Sequence, residues 1–197
     1  MSLKDYHNAS YTRSAHHLDQ LLEDEGREVA FAGRSNAGKS SIINALTGQN
    51  RLAKISKTPG RTQLINFFSV TEHCRLVDLP GYGYAKVPEK TQLHWAENLG
   101  RYFHERECLV GVVMICDIRR KITEHDERMI EWCEYADLPV HILLNKSDKL
   151  AFGARKKTMA AVQKGLQGRG HSVQLFSALK KQGIDELVNQ LDTWFGI

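Results

Sequence analysis

The chain has 197 residues, 42% of them hydrophobic and 25% charged, with four cysteines and a formal net charge of +4. That length can bury one core without staples, and the composition excludes collagen-like, disordered and disulfide-framework classes. The longest apolar run, Leu109 to Cys116, lies between Glu107 and Asp117 and is far too short to cross a bilayer.

Cys74, Cys108, Cys116 and Cys133 form no CxxC pair and match no zinc spacing, so reduced, core-packed thiols are expected. No apolar leader segment is visible near the N-terminus. The expectation is a soluble, cytoplasmic monomer with no membrane and no DNA partner. The mildly basic balance permits an RNA partner without requiring one.

In chain order, Met1 to Gly26 read as an extension packed on a single domain spanning 27–197. Glu28–Ala32 is a short β-rich strand that runs into Gly33–Ser40, GRSNAGKS, and a helical pattern follows. Ser56–Gln63 contains Pro59 and Gly60 and reads as an irregular loop. Ile65–Val70 and Cys74–Leu79, joined by Thr71-Glu72-His73, read as a hairpin. After Pro88, the residues Leu93, Ala96, Leu99, Tyr102 and Phe103 repeat at helical spacing.

Leu109–Cys116, Val140–Leu144 and Val173–Phe176 are apolar enough for parallel strands buried on both faces. Helical patterns over Ile122–Ala136 and Gly153–Gly168 separate them, and Ile184, Leu187, Val188, Leu191 and Phe195 form a last helical stripe. Strand and helix alternate throughout, which implies a doubly wound α/β domain. Its sheet is expected to be mostly parallel and six-stranded, with one antiparallel strand and helices on both faces. Ligands of such sheets bind at the carboxyl ends of the strands, so chemical motifs should sit just after strands.

They do. GRSNAGKS matches GxxxxGK(S/T) after the first strand, the pattern of a P-loop. Backbone amides of Gly33, Arg34, Ser35, Asn36, Ala37 and Gly38 can cradle phosphates, with the following helix start supplying a positive dipole end. Lys39 would reach the β- and γ-phosphates, Ser40 would ligate Mg²⁺, and Ser41 continues the turn.

Asn145-Lys146-Ser147-Asp148 follows the Val140–Leu144 strand. The Asp148 carboxylate can accept both N1–H and the 2-amino group of guanine. Adenine offers neither donor, so this site selects GTP and GDP. The Lys146 stem can lie along the base, and Asn145 can tie this loop to the P-loop. Ser177-Ala178-Leu179 ends the last strand, where a backbone N–H can meet the guanine O6.

Asp78-Leu79-Pro80-Gly81 closes the third strand. Asp78 would hold Mg²⁺ through water, and the Gly81 N–H would sense the γ-phosphate. In the preceding loop Gly60, Arg61, Thr62, Gln63 and Leu64 are expected to contribute to GTP binding. Thr62 and Thr58 are both candidates to complete the Mg²⁺ shell, with Thr62 preferred because it lies nearer the next strand. Lys39, Asn36, Thr62 and Gly81 form the expected catalytic set, in a Ras-like P-loop fold.

The ordered segments GRSNAGKS, KTPGRTQLINFF, VDLPGYGYA and NKSDKL resemble the EngB family (also called YihA or YsxC), within the TrmE–Era–EngA group of GTPases. The resemblance runs from about Ser14 to the last helix. It implies one GTPase domain, a role in assembling the large ribosomal subunit, and a need for the protein in cell division and septation. It also supports Thr62 as the switch threonine.

Tyr82 stands where Ras-type enzymes carry the water-orienting glutamine, so intrinsic hydrolysis should be slow. In related GTPases an asparagine at the place of Asn36 accompanies a bound K⁺, which makes K⁺ a second candidate cation. Two basic groups are candidate ribosomal RNA contacts: Arg119-Arg120-Lys121, and Lys149, Arg155, Lys156, Lys157, Lys164 and Arg169. The competing reading is a nucleotide-gated docking module, at the ribosome or the division apparatus, whose own turnover is marginal.

Overall fold

The computed structural model describes residues 3–54, 64–82 and 89–197, with side chains of the last segment described from residue 97. One seven-stranded sheet organises them. Its strands are β1 (Ser10–Ala15), β2 (Arg27–Gly33), β3 (Ile65–Ser69), β4 (Cys74–Asp78), β5 (Leu109–Asp117), β6 (Val140–Asn145) and β7 (Ser172–Leu175), in the order β1-β3-β4-β2-β5-β6-β7. The strand β3 runs antiparallel to both of its neighbours; the remaining pairings are parallel.

The sheet has one strand more than expected. Ser10–Ala15 adds to the free edge of β3, with Ser14 opposite Asn66 and Ala15 opposite Ile65. Its residues are polar and mostly exposed, so no apolar alternation announces it. Backbone pairing at an otherwise open edge holds it there.

Six α-helices are described: α1 (Leu3–His7), α2 (Lys39–Leu46), α3 (Glu89–Glu105), α4 (Glu124–Tyr135), α5 (Phe152–Gly165) and α6 (Ile184–Phe195). The central strands alternate their side chains between two cores. Ala30, Ala32, Val112, Met114, Ile142 and Leu144 face one side, with Leu99, Tyr102 and Phe103 of α3 and Met129, Ile130 and Cys133 of α4. Val29, Phe31, Val113, Ile115 and Leu143 face the other, against Ile42 and Ile43 of α2 and Leu187 and Leu191 of α6. Both faces of β2, β5 and β6 are therefore covered, which explains their largely apolar runs. Gly111 lets α6 approach closely: a Cβ there would fall 2.6 Å from the Trp194 ring.

At the amino end of β2 the fully buried Glu28 carboxylate receives Arg106 through Nε at 3.0 Å and Nη2 at 2.7 Å, and the Tyr102 hydroxyl at 3.2 Å. Arg106 also donates to the carbonyls of Leu22 and Glu23. One charged cluster thus ties the end of α3 and the approach to β2 to the base of the sheet, at the end away from the motifs.

Candidate functional site

The parallel register brings the motif-bearing strand ends together. Phe31 pairs with Asp78, Gly33 with Ile115, and Asp117 with Asn145. The P-loop and the DLPG segment are zipped by backbone bonds. Ser35 N–H donates to the Tyr82 carbonyl at 3.2 Å, and Tyr82 N–H donates to the Gly33 carbonyl at 3.3 Å. Gly81 lies against the Ser35 backbone.

Two left-handed residues shape the phosphate loop: Asn36 at φ 66° and Gly38 at φ 107°. Asparagine tolerates that region, and glycine enters it without cost. Gly38 is required twice over, because a Cβ there would lie 2.3 Å from Asn145 Nδ2. That amide donates to the Ala37 carbonyl at 2.9 Å, while Asn145 Oδ1 accepts the Ala178 N–H at 3.3 Å. One side chain therefore joins the P-loop, the NKSD turn and the Ser177–Leu179 loop.

Lys39, the first residue of α2, forms an ion pair with Asp78 at the end of β4. Both line an open cleft that also takes in Arg34, Ser35, Asn36, Gly38, Ser40, Ser41, Leu64, Leu79, Pro80, Gly81 and Lys146. Ser40 and Asp78 supply oxygen donors on that cleft, which suits a hard cation that takes its remaining ligands from water and phosphate. Among the described residues no cluster of three His, Cys, Asp or Glu could hold a metal by itself. Among the described residues these two could hold Mg²⁺, which when bound would neutralise phosphate charge.

On the base side, Asp148 Oδ1 accepts the Ser177 hydroxyl at 2.6 Å, and its other oxygen faces Lys149 Nζ at 3.4 Å. Ser177 and then Lys149 hold the Asp148 carboxyl below the usual carboxylate range, so it is an ionised acceptor at neutral pH. Ser147 is buried and donates its N–H to the Phe176 carbonyl at 3.0 Å, which locks this turn to the neighbouring strand end. Leu179 is exposed.

Gly60, Arg61, Thr62 and Gln63, with the alternative Thr58, lie outside the described residues. Tyr82, at the place where Ras-type enzymes carry the water-orienting glutamine, has its side chain buried in the core, with its hydroxyl on Asp126. Asp117 and the wall formed by Tyr11 and Ser14 of β1 were not among the expected site residues, yet Tyr11 and Ser14 line the cleft. Asp117 had a legible signal, since it ends an apolar strand as Asp78 and Asn145 do.

A family model described as "50S ribosome-binding GTPase" matches residues 28–146. "Probable GTP-binding protein EngB" of Glaesserella parasuis serovar 5 (strain SH0165) is 53% identical over 193 residues, covering 97% of this chain and 92% of that protein. The chain belongs to the EngB family. The EngB protein of Coxiella burnetii (strain CbuG_Q212) is likewise 53% identical, over 96% of this chain and 94% of its own. Among solved structures, a probable GTP-binding protein EngB superimposes with a TM-score of 0.69 at 21% identity, covering 86% of this chain and 98% of that one. Aquifex aeolicus Era bound to GDP and AlF₄⁻ follows at 0.68 and 22%, over 86% and 57%. These two likenesses concern the fold. The EngB relatives cover the N-terminal segment as well, including the strand β1 that completes the sheet.

Proposed function

We propose that this EngB-family GTPase is a slow GTP/GDP switch in assembly of the large ribosomal subunit, needed for normal cell division and septation. The observation that carries the nucleotide reading is Asn145, which binds both the P-loop and the Ser177–Leu179 loop beside an ionised Asp148. Lys39 would bind phosphate. Ser40, Thr62 and, through water, Asp78 would hold Mg²⁺. The Gly81 N–H would report the γ-phosphate, and Asn36, whose side chain is exposed at the cleft, would favour a K⁺ ion. With Tyr82 turned into the core, transition-state charge must be met by such a cation or by a partner. Equal turnover in Na⁺ and K⁺ buffers would refute the potassium part.

The ribosomal reading is supported by the description of the matching family and by charge. Residues 149–184 hold eight of the 27 lysines and arginines and none of the 23 acids. Arg169 there is paired with Glu134 and Glu127, and Arg119 with Asp117, which occupies part of their charge. Lys157, Lys164, Lys180 and Lys181 are exposed, as is Phe152, whose ring lies 4.7 Å from Lys156 Nζ. A cationic surface beside an aromatic suits RNA phosphates and bases.

The burial of Tyr82 also favours the docking-module reading, in which nucleotide gates binding and turnover is marginal. Titration with fluorescent GDP and a non-hydrolysable GTP analogue in K⁺ buffer, with and without large ribosomal subunits, tests both. Tighter subunit binding in the analogue state, with stimulated turnover, supports the enzyme switch. Tighter binding without stimulation supports the docking module. Nucleotide binding with no subunit association removes the ribosomal role.

A further inference from the structure

Lys146 sits in the left-handed region at φ 64° and sends its ammonium away from its own loop. Nζ donates to the Asn36 carbonyl at 2.8 Å and to Asp117 Oδ2 at 3.0 Å. Asp117 ends β5, directly opposite Asn145 in the register, and its side chain is 7% exposed. Its remaining acceptor capacity is taken by Arg119, through the backbone N–H at 3.1 Å, Nε at 2.9 Å and Nη2 at 2.7 Å. Arg119 is itself half-exposed and covers the carboxylate from solvent.

A lysine carries four rotatable bonds and loses much freedom when it is held in one place. A flat aliphatic stem can serve a planar base only if the ammonium is anchored at its far end. The Asn36 carbonyl is a neutral anchor on the P-loop. The Asp117 carboxylate is a charged anchor on the sheet, and charge-assisted bonds are the stronger kind. The geometry points to Asp117 as a positioning residue for guanine nucleotides, acting through Lys146. This rests on the reading of Lys146 as a base-binding residue.

The alternative role for Asp117 is local: to hold the turn at residues 117–120, where Arg120 N–H donates to the Asp117 carbonyl at 2.9 Å. The two roles separate by experiment. Fluorescent GDP and a non-hydrolysable GTP analogue are titrated against the full chain and its variants Asp117→Asn, Lys146→Ala, the double variant and Arg119→Ala. Loss of one charged, mostly buried anchor should weaken both nucleotides about tenfold, because they share the base. In the Lys146→Ala background Asp117→Asn should change affinity less than about twofold, since the coupled partner is gone.

Arg119→Ala removes the two side-chain bonds that help hold Asp117 but keeps the Lys146 contact, so it should weaken both nucleotides by less than Asp117→Asn does. It also keeps the test open if Asp117→Asn does not fold. Equal losses from Asp117→Asn in both backgrounds, or a larger loss from Arg119→Ala than from Asp117→Asn, would overturn the proposal. Lys146→Ala binding as tightly as the parent would instead overturn the base-binding reading of Lys146.

Discussion

The Tyr82 hydroxyl donates to Asp126 Oδ1 at 2.9 Å inside the core, and the other Asp126 oxygen accepts the Thr123 N–H at 2.9 Å and the Thr123 hydroxyl at 2.7 Å. The residue immediately after Gly81 is thereby fastened to the start of α4. Burial raises the Tyr82 phenol well above its ordinary value, so it stays a neutral donor at every physiological pH.

Tyr82→Phe should cost about 1.5–3 kcal/mol of stability, because it strips a buried carboxylate of a donor. Urea melts measure this. Basal GTP turnover should be unchanged, since the hydroxyl points to α4. Tyr82→Gln should likewise fail to accelerate hydrolysis: the backbone at this position places its side chain in the core. A large gain in turnover from that substitution would mean that the side chain can reach the nucleotide.

Gly38→Ala should weaken GDP binding by about a hundredfold or more. The new Cβ would meet Asn145 Nδ2 at 2.3 Å, in a backbone conformation that alanine resists. Calorimetric titration would show this loss. Asn145→Ala should reproduce part of it with no backbone strain, because it breaks the bonds to Ala37 and Ala178 together.

Arg106→Met should destabilise the fold by about 1.5–3 kcal/mol, since the buried Glu28 loses its bonds to Arg106 but keeps Arg75 Nε at 3.0 Å. Nucleotide affinity of the folded fraction should be unaffected, since Glu28 sits at the opposite end of β2 from the P-loop. Denaturant titration and GDP titration on the same sample would separate the two effects.

His141 gives a pH dependence with a defined sign. Burial lowers its pKa, and it sits between the Ser172 hydroxyl at 2.7 Å and Gln174 Oε1 at 2.8 Å. Gln174 donates its own amide to the Gly183 carbonyl at 2.8 Å, so Oε1 faces the ring and accepts Nε2–H. Nδ1 then accepts from Ser172, and the ring is neutral. The unfolded chain takes up a proton near pH 6.5, before the folded one does. Stability from this site is therefore full above pH 6.5 and falls as pH drops below it toward the depressed folded value. Thermal melts at several pH values should show that slope, and His141→Gln should flatten it.

The strands β2, β5 and β6, the helix α6 and the P-loop were legible in the sequence because each carries a local signal. Largely apolar runs mark strands covered on both faces, helical stripes mark one-sided burial, and glycines mark phosphate loops. The Asn145 tie to the P-loop was legible for the same reason, since motif order on a parallel sheet dictates which loops meet. Three features needed the folded chain. Ser10–Ala15 joins the sheet through backbone bonds to the edge of β3, and backbone pairing leaves little mark on side-chain pattern. Tyr82 reads as a substituted catalytic position, and only packing against α4 turned it inward. Asp117 reads as the polar end of a buried strand, until parallel register sets it beside Asn145 and within reach of Lys146. Local chemistry determined which residues can bind a nucleotide; long-range register decided which neighbours hold them in place.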